Sequence, residues 1–237
     1  MKIEVCVASL EDAKKAEQLC ADRIELCAEL GVGGITPSMG LVEQLLEEIE
    51  IPIHVLVRPR SGDFNYSTKD FEVIMNDIVH LKKLNIDGIV VGITNENGDL
   101  AVPQLKEMHA LAGGTPLTFH RAFDLVNNPL VALETLIDIG YSAILSGGQC
   151  EKARDGLDLL KQMNSIAGNT IDILPGGGIN GSNCQAFKNE QFRWIHLSAK
   201  KEIPLIKKGD KNLSFLKQVQ YELDQDRLEA VVRSCKY

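Results

Sequence analysis

Histidine, arginine, aspartate and glycine cluster at the ends of short apolar runs in this 237-residue chain, and their types define the chemistry to consider. The segment TFHRAFD at 118–124 brings forward His120, whose imidazole titrates near neutrality and suits general acid–base work, or is simply satisfied by polar neighbours. Asp124 either orients a reacting partner or binds Arg121. The segment RPRSGDF at 58–64 carries Arg58 and Arg60 on a proline-stiffened turn. Guanidinium groups suit bidentate capture of carboxylate or phosphate; a salt bridge to Asp63 is the competing reading for Arg60. Two glycine turns follow, Ser146-Gly147-Gly148 and Pro175-Gly176-Gly177-Gly178. Their exposed N–H groups suit an anion, with Ser198 close by, and tight turns alone are the alternative.

A second constellation is soft. Cys6 and Cys27 lie on strand-like segments that follow one another, and alternation turns both to the same side. Neighbouring strands run about 4.8 Å apart, so two such thiols can share one ion, and thiolates favour Cu(I). Two small buried cysteines packed in a core explain the same pattern. Glu25 shares the face of Cys27 and joins Arg58 and His120 as a candidate for chemistry.

The elements that must position these residues alternate regularly. Strand patterns occur at 3–8, 22–27, 52–59, 88–93, 116–122, 143–146, 171–174 and 194–199. Helical spacing follows each one: 9–20 after a Ser9 cap, 37–49 opened by Thr36-Pro37, 68–84, 102–111, a helix from Asn128-Pro129 to 139, and 151–166. A helix capped by Asn180 and a last one after Asp224 complete the series, with a charged loop at 200–212 between them. Eight strands each followed by a helix predict a single (β/α)8 TIM-type barrel over residues 1–237. A doubly wound sheet would carry its glycines after the first strand. In a barrel the inward set becomes Glu4, Cys6, Arg23, Glu25, Cys27, His54, Arg58, Thr118, His120, His196 and Ser198. That interior is unusually polar, and Glu4 and Glu25 are expected to answer Arg23 and Arg58.

The bulk numbers narrow the partners. With 25 basic and 33 acidic residues the net charge is −8, which argues against nucleic acid or an anionic membrane. MKIEVCVASLEDAKK has no apolar signal core, and no later run is long enough to span a bilayer, so a cytoplasmic protein with reduced thiols is expected.

In order along the chain stand EVCV at 4–7, DRIELC at 22–27, GGITPSMG at 33–40, RPRSGDFNYS at 58–67, TFHRAFD at 118–124, PGGGI at 175–179 and HLSAK at 196–200. By these motifs the chain resembles the CutC copper-homeostasis family. The loop at 60–62 departs from it, with Ser61 where the family more often has glycine. The resemblance implies a TIM-type barrel, a cytosolic and oligomeric protein, and Cu(I) bound at Cys6 and Cys27; no organic cofactor is indicated by the sequence. The alternative is a barrel enzyme of unspecified reaction acting on a small phosphorylated or carboxylated metabolite at the C-terminal mouth. There Glu25, Arg58, His120 and Asp124 would do the chemistry, and Arg60, Gly147, Gly148, Gly176, Gly177, Gly178 and Ser198 would hold the anion.

Overall fold

Strict alternation along each strand sorts the side chains into two cores. The computed structural model describes residues 1–204 and 219–236. Its barrel strands are β1 (Lys2–Val7), β2 (Arg23–Leu26), β3 (Ile53–Leu56), β4 (Gly88–Val91), β5 (Leu117–Phe119), β6 (Ala143–Ser146), β7 (Asp172–Pro175) and β8 (Trp194–Leu197). They pair in the order β7-β6-β5-β4-β3-β2-β1-β8, every pair parallel. A single parallel bridge between Gly176 and His196 joins the two ends. The architecture is the (β/α)8 TIM barrel that the alternation implied.

One set of strand residues, among them Ile3, Val5, Ile24, Leu26, Val55, Ile89, Phe119, Ile144 and Ile195, packs outward against the helices in one large apolar core. Each such side chain contributes about 1.5–3 kcal/mol on full burial, so this layer carries most of the stability. The other set faces the axis. Cys6, Cys27, Leu56 and Val90 form one small inner cluster, and Ala143, Leu145 and Leu174 form another beside Trp194. Between them lie the buried polar residues Glu4, Arg23, Glu25, His54, Arg58, Thr118 and His120.

The helices are α1 (Leu10–Gln18), α2 (Met39–Glu48), α3 (Thr68–Lys83), α4 (Val102–Ala112), α5 (Pro129–Ile139), α6 (Leu157–Ala167), α7 (Cys184–Asn189) and α8 (Gln225–Lys236). Ser9 and Asn128 cap α1 and α5 as the sequence suggested, and Ser67 forms a reciprocal capping box with Asp70 at α3.

Three local expectations are corrected. Ser38, not Thr36, caps α2, because the Thr36 hydroxyl is engaged with the backbone N–H of Arg58, 2.9 Å away. Asn180 does not cap α7, which starts at Cys184; the Asn180 carboxamide is used within its own turn, accepting from Ser182. The loop expected at 200–212 begins instead with a strand, β9 (Lys200–Pro204), paired antiparallel with β10 (Val219–Leu223). Lys200 aligns there because its ammonium lies 4.2 Å from the Tyr221 ring centroid and donates to the Leu30 carbonyl. Residues 205–212 of that expected loop lie outside the described residues. Among the described residues no helix is long and apolar enough to cross a membrane.

Candidate functional site

The polar interior begins with a buried ion pair. β1 and β2 place Glu4 opposite Arg23, and β8 places His196 opposite Glu4 on the other side. Arg23 Nε donates to Glu4 Oε2 at 2.5 Å, and His196 Nδ1 lies 2.7 Å from Glu4 Oε1. The Arg23 guanidinium also stacks over Trp194, 4.1 Å from the ring centroid. Burial alone would raise the Glu4 carboxyl, but Arg23 and His196 outweigh it and hold the group down at about 2.

One step nearer the C-terminal mouth, β1 and β2 set Cys6 beside Glu25. Cys6 Sγ lies 3.5 Å from Cys27 Sγ and 3.8 Å from Glu25 Oε1, and Glu25 Oε2 lies 3.7 Å from His196 Nδ1. Cys27 is fully buried and Cys6 is 8% exposed. Ligand atoms of Cys6, Glu25 and His196 all lie within 4.8 Å of one another, a spacing at which one cation can be held. Burial, with the neighbouring Glu4 charge, pushes Glu25 up to about 7 against His196 and Arg23. Its Oε2 atom has no hydrogen-bond partner among the described residues. The hydrogen bond with Cys27 and then burial push the Cys6 thiol well above its ordinary range. His196 moves the other way: burial opposes its charge, but Glu25, Cys6 and Glu4 raise it well above the ordinary imidazole value.

At the mouth, Arg58 donates to three backbone carbonyls: Nη1 to Val32 and Gly34 at 2.9 and 2.7 Å, and Nη2 to Gly62 at 2.8 Å. His120 follows β5 and accepts from the Ala122 N–H through Nδ1 at 3.1 Å. The Phe64 ring covers both, its centroid 4.7 Å from the His120 ring and 4.9 Å from Arg58 Cζ. Across the barrel, Asp124 accepts from Ser146 Oγ, from the N–H groups of Gly147 and Gln149 and from Arg121 Nε.

A model of the CutC family matches residues 1–201. A CutC family protein of Proteus mirabilis is 43% identical over 203 residues, covering 86% of this chain and 81% of its own. The chain belongs to the CutC family. The crystal structure of a protein described as the copper homeostasis protein CutC, from Streptococcus agalactiae, superposes with a TM-score of 0.78 at 30% identity, over 83% of this chain and 97% of that one. Thiamine phosphate pyrophosphorylase from Pyrococcus furiosus, 14% identical with a TM-score of 0.60 over 99% of this chain and 95% of its own, shares the barrel fold.

In this CutC family chain, Cys6 and Cys27 meet as alternation required. The ion pair expected between Glu25 and Arg58 does not form: Glu4 takes Arg23, Glu25 turns to Cys6 and His196, and Arg58 is spent on carbonyls. Arg60 lies away from the interior, held by Asp63 and Asp70 with its guanidinium over Tyr66. Asp124 sits in the turn of Gly147 rather than beside Glu25, and it pairs with Arg121. Gly147 and Gly177 make room for that same Arg121, whose guanidinium lies where their side chains would be. Gly148 packs on Gly156, Gly176 lies under Leu145, and Gly178 accepts from Asn180 and Asn183 through its carbonyl. Ser198 follows β8, half-buried. His196 is the site residue that sequence reasoning did not single out for chemistry. The alternation of WIHLSA put it on the inward face, but nothing local pointed to Glu4 and Cys6 as its neighbours.

Proposed function

We propose that this CutC family protein is a cytoplasmic copper-binding protein of copper homeostasis, holding Cu(I) between Cys6 and Cys27. The reading is carried by one observation, two buried thiols 3.5 Å apart on the barrel interior. Metal–sulfur bonds of about 2.3 Å let two thiolates share an ion at any separation up to about 4.6 Å, so the pair fits a single ion with little movement. Soft sulfur donors suit Cu(I) over harder cations. His196 and Glu25 stand beside Cys6, within reach of an ion bound there. The Cys6 thiol is protonated at neutral pH, so uptake of the ion displaces protons. The copper homeostasis description of the Streptococcus agalactiae protein supports the same reading. The reading extends to a homo-oligomer, whose mass under native conditions tests it.

The direct test is titration with Cu(I) under anaerobic, reducing conditions against a chromophoric chelator. The wild-type chain is expected to take up one ion, and Cys6→Ser and Cys27→Ser each to lose it. Undiminished uptake by both variants would overturn the reading.

A further inference from the structure

Arg58 is a buried cation without a counter-charge among the described residues. Its side chain is almost wholly inside the protein, yet no carboxylate of the described residues lies within ion-pair distance of it. The groups around it are neutral: the carbonyls of Val32, Gly34 and Gly62, the ring of Phe64 and the nearby Tyr66 hydroxyl. Nε has no acceptor among the described residues. A guanidinium does not escape burial by losing its proton, so the charge keeps its carbonyl hydrogen bonds but has no counter-ion among the described residues unless an anion completes the site.

His120 adds a second donor. Because its Nδ1 accepts from the Ala122 N–H, the neutral ring must carry its proton on Nε2. Burial, and then the nearby Arg58 charge, hold the imidazole down to about 3, so the ring stays neutral and that N–H stays a donor. Nε2 is buried and has no acceptor among the described residues. Two residues earlier on the same inward face, the fully buried Thr118 hydroxyl is also without a partner. Phe64 touches both Arg58 and His120, which places the two side chains under one cover.

These orphaned groups share a sign. Arg58 Nε and His120 Nε2 can only donate, the Thr118 hydroxyl can donate, and together they bring one positive charge. The complement is an acceptor of charge −1 with two oxygens. We propose that the barrel mouth at Arg58, Thr118 and His120 binds the carboxylate group of a small metabolite, with the Phe64 side chain as its apolar cover. A phosphate monoester carries −1.5 to −2 at neutral pH and overmatches the single guanidinium. The site uses neither Cys6 nor Cys27 and is independent of copper. Phe64 belongs to the loop between β3 and α3, so entry requires that loop to lift from His120.

The test uses the full-length protein with acetate and pyruvate as probes, and chloride and inorganic phosphate as controls at equal ionic strength. Either carboxylate is expected to raise the melting temperature saturably. In protein labelled with 15N-histidine, it is expected to shift the Nε2–H resonance of His120. Arg58→Gln and His120→Phe are each expected to weaken binding by about tenfold to a hundredfold, the worth of a hydrogen bond to a charged group. Cys6→Ser is expected to bind the carboxylates as wild type does, which separates this site from the copper reading. The resonance shift is read on wild-type protein, so it decides the matter even if the variants fold poorly. The proposal is overturned if neither carboxylate moves that resonance. Phosphate or chloride acting equally well overturns it too, as does a water molecule alone at Arg58 Nε in crystals grown with acetate.

Discussion

Gly92 and His120 fill one side-chain position between them: the imidazole from the end of β5 lies in the space where a Cβ on Gly92 would project, well inside van der Waals contact. Gly88 and His54 repeat the arrangement lower on β4, with an added Cβ 2.5 Å from the His54 ring. Two glycines, one at the start of β4 and one just past its end, thus let the histidines of the flanking segments lean across it.

Gly92→Ala is therefore expected to destabilise the protein by about 1–3 kcal/mol through overpacking. The smaller His120→Ser should relieve much of that loss when combined with it. Denaturant midpoints of the two single variants and the double variant check the coupling; simple additivity would show that the ring and the methyl group do not compete.

Glu4 and Arg23 make the most deeply buried ion pair among the described residues. Glu4→Gln leaves the guanidinium inside the barrel with no full counter-charge, a loss of about 3–5 kcal/mol. Replacing both, as Glu4→Gln with Arg23→Met, removes the buried charge altogether and should cost clearly less than the first change alone. A double-mutant cycle in urea measures the difference.

Burial, reinforced by the Arg23 charge, holds the His54 imidazole down to about 4 from an ordinary value of 6.5. The unfolded chain therefore binds a proton that the folded protein refuses. Stability from this group is complete above pH 6.5 and is lost as the pH falls through that value toward 4, by about 3 kcal/mol in all. His54→Gln should flatten the fall in urea midpoint across that window. An unchanged slope would place the acid sensitivity elsewhere.

Asp124 gathers Arg121, the Ser146 hydroxyl and the N–H groups of Gly147 and Gln149 onto one carboxylate. Asp124→Ala should cost about 3 kcal/mol and speed amide exchange at Gly147 and Gln149. It should leave Cu(I) uptake at Cys6 and Cys27 intact, since the turn lies on the other side of the barrel. Hydrogen exchange and copper titration of the same variant check both halves.

Much of this molecule is local and could be read early. Period-two alternation put Glu4, Cys6, Glu25, Cys27, His120 and His196 on one face, and eight alternating units implied the barrel. Caps at Ser9 and Asn128 depend on contacts three residues away and were equally legible. Thr36 misled because Thr-Pro resembles a helix start, while its hydroxyl is claimed by Arg58, 22 residues on. The charged run after Ala199 carried no signal that a partner strand would arrive at Val219.

The sequence by itself determined which side chains face the barrel axis, because side-chain direction in a strand repeats every two residues whatever the strand pairs with. Only the tertiary structure decided which of them meet. Glu4 finds His196 across 192 residues because the sheet closes and brings β8 beside β1. Closure also sets Glu4 against Arg23, which leaves Glu25 to Cys6 and His196 and leaves Arg58 without a carboxylate among the described residues. Partnership inside a barrel depends on the register at which its strands join, and that register is a property of the whole ring.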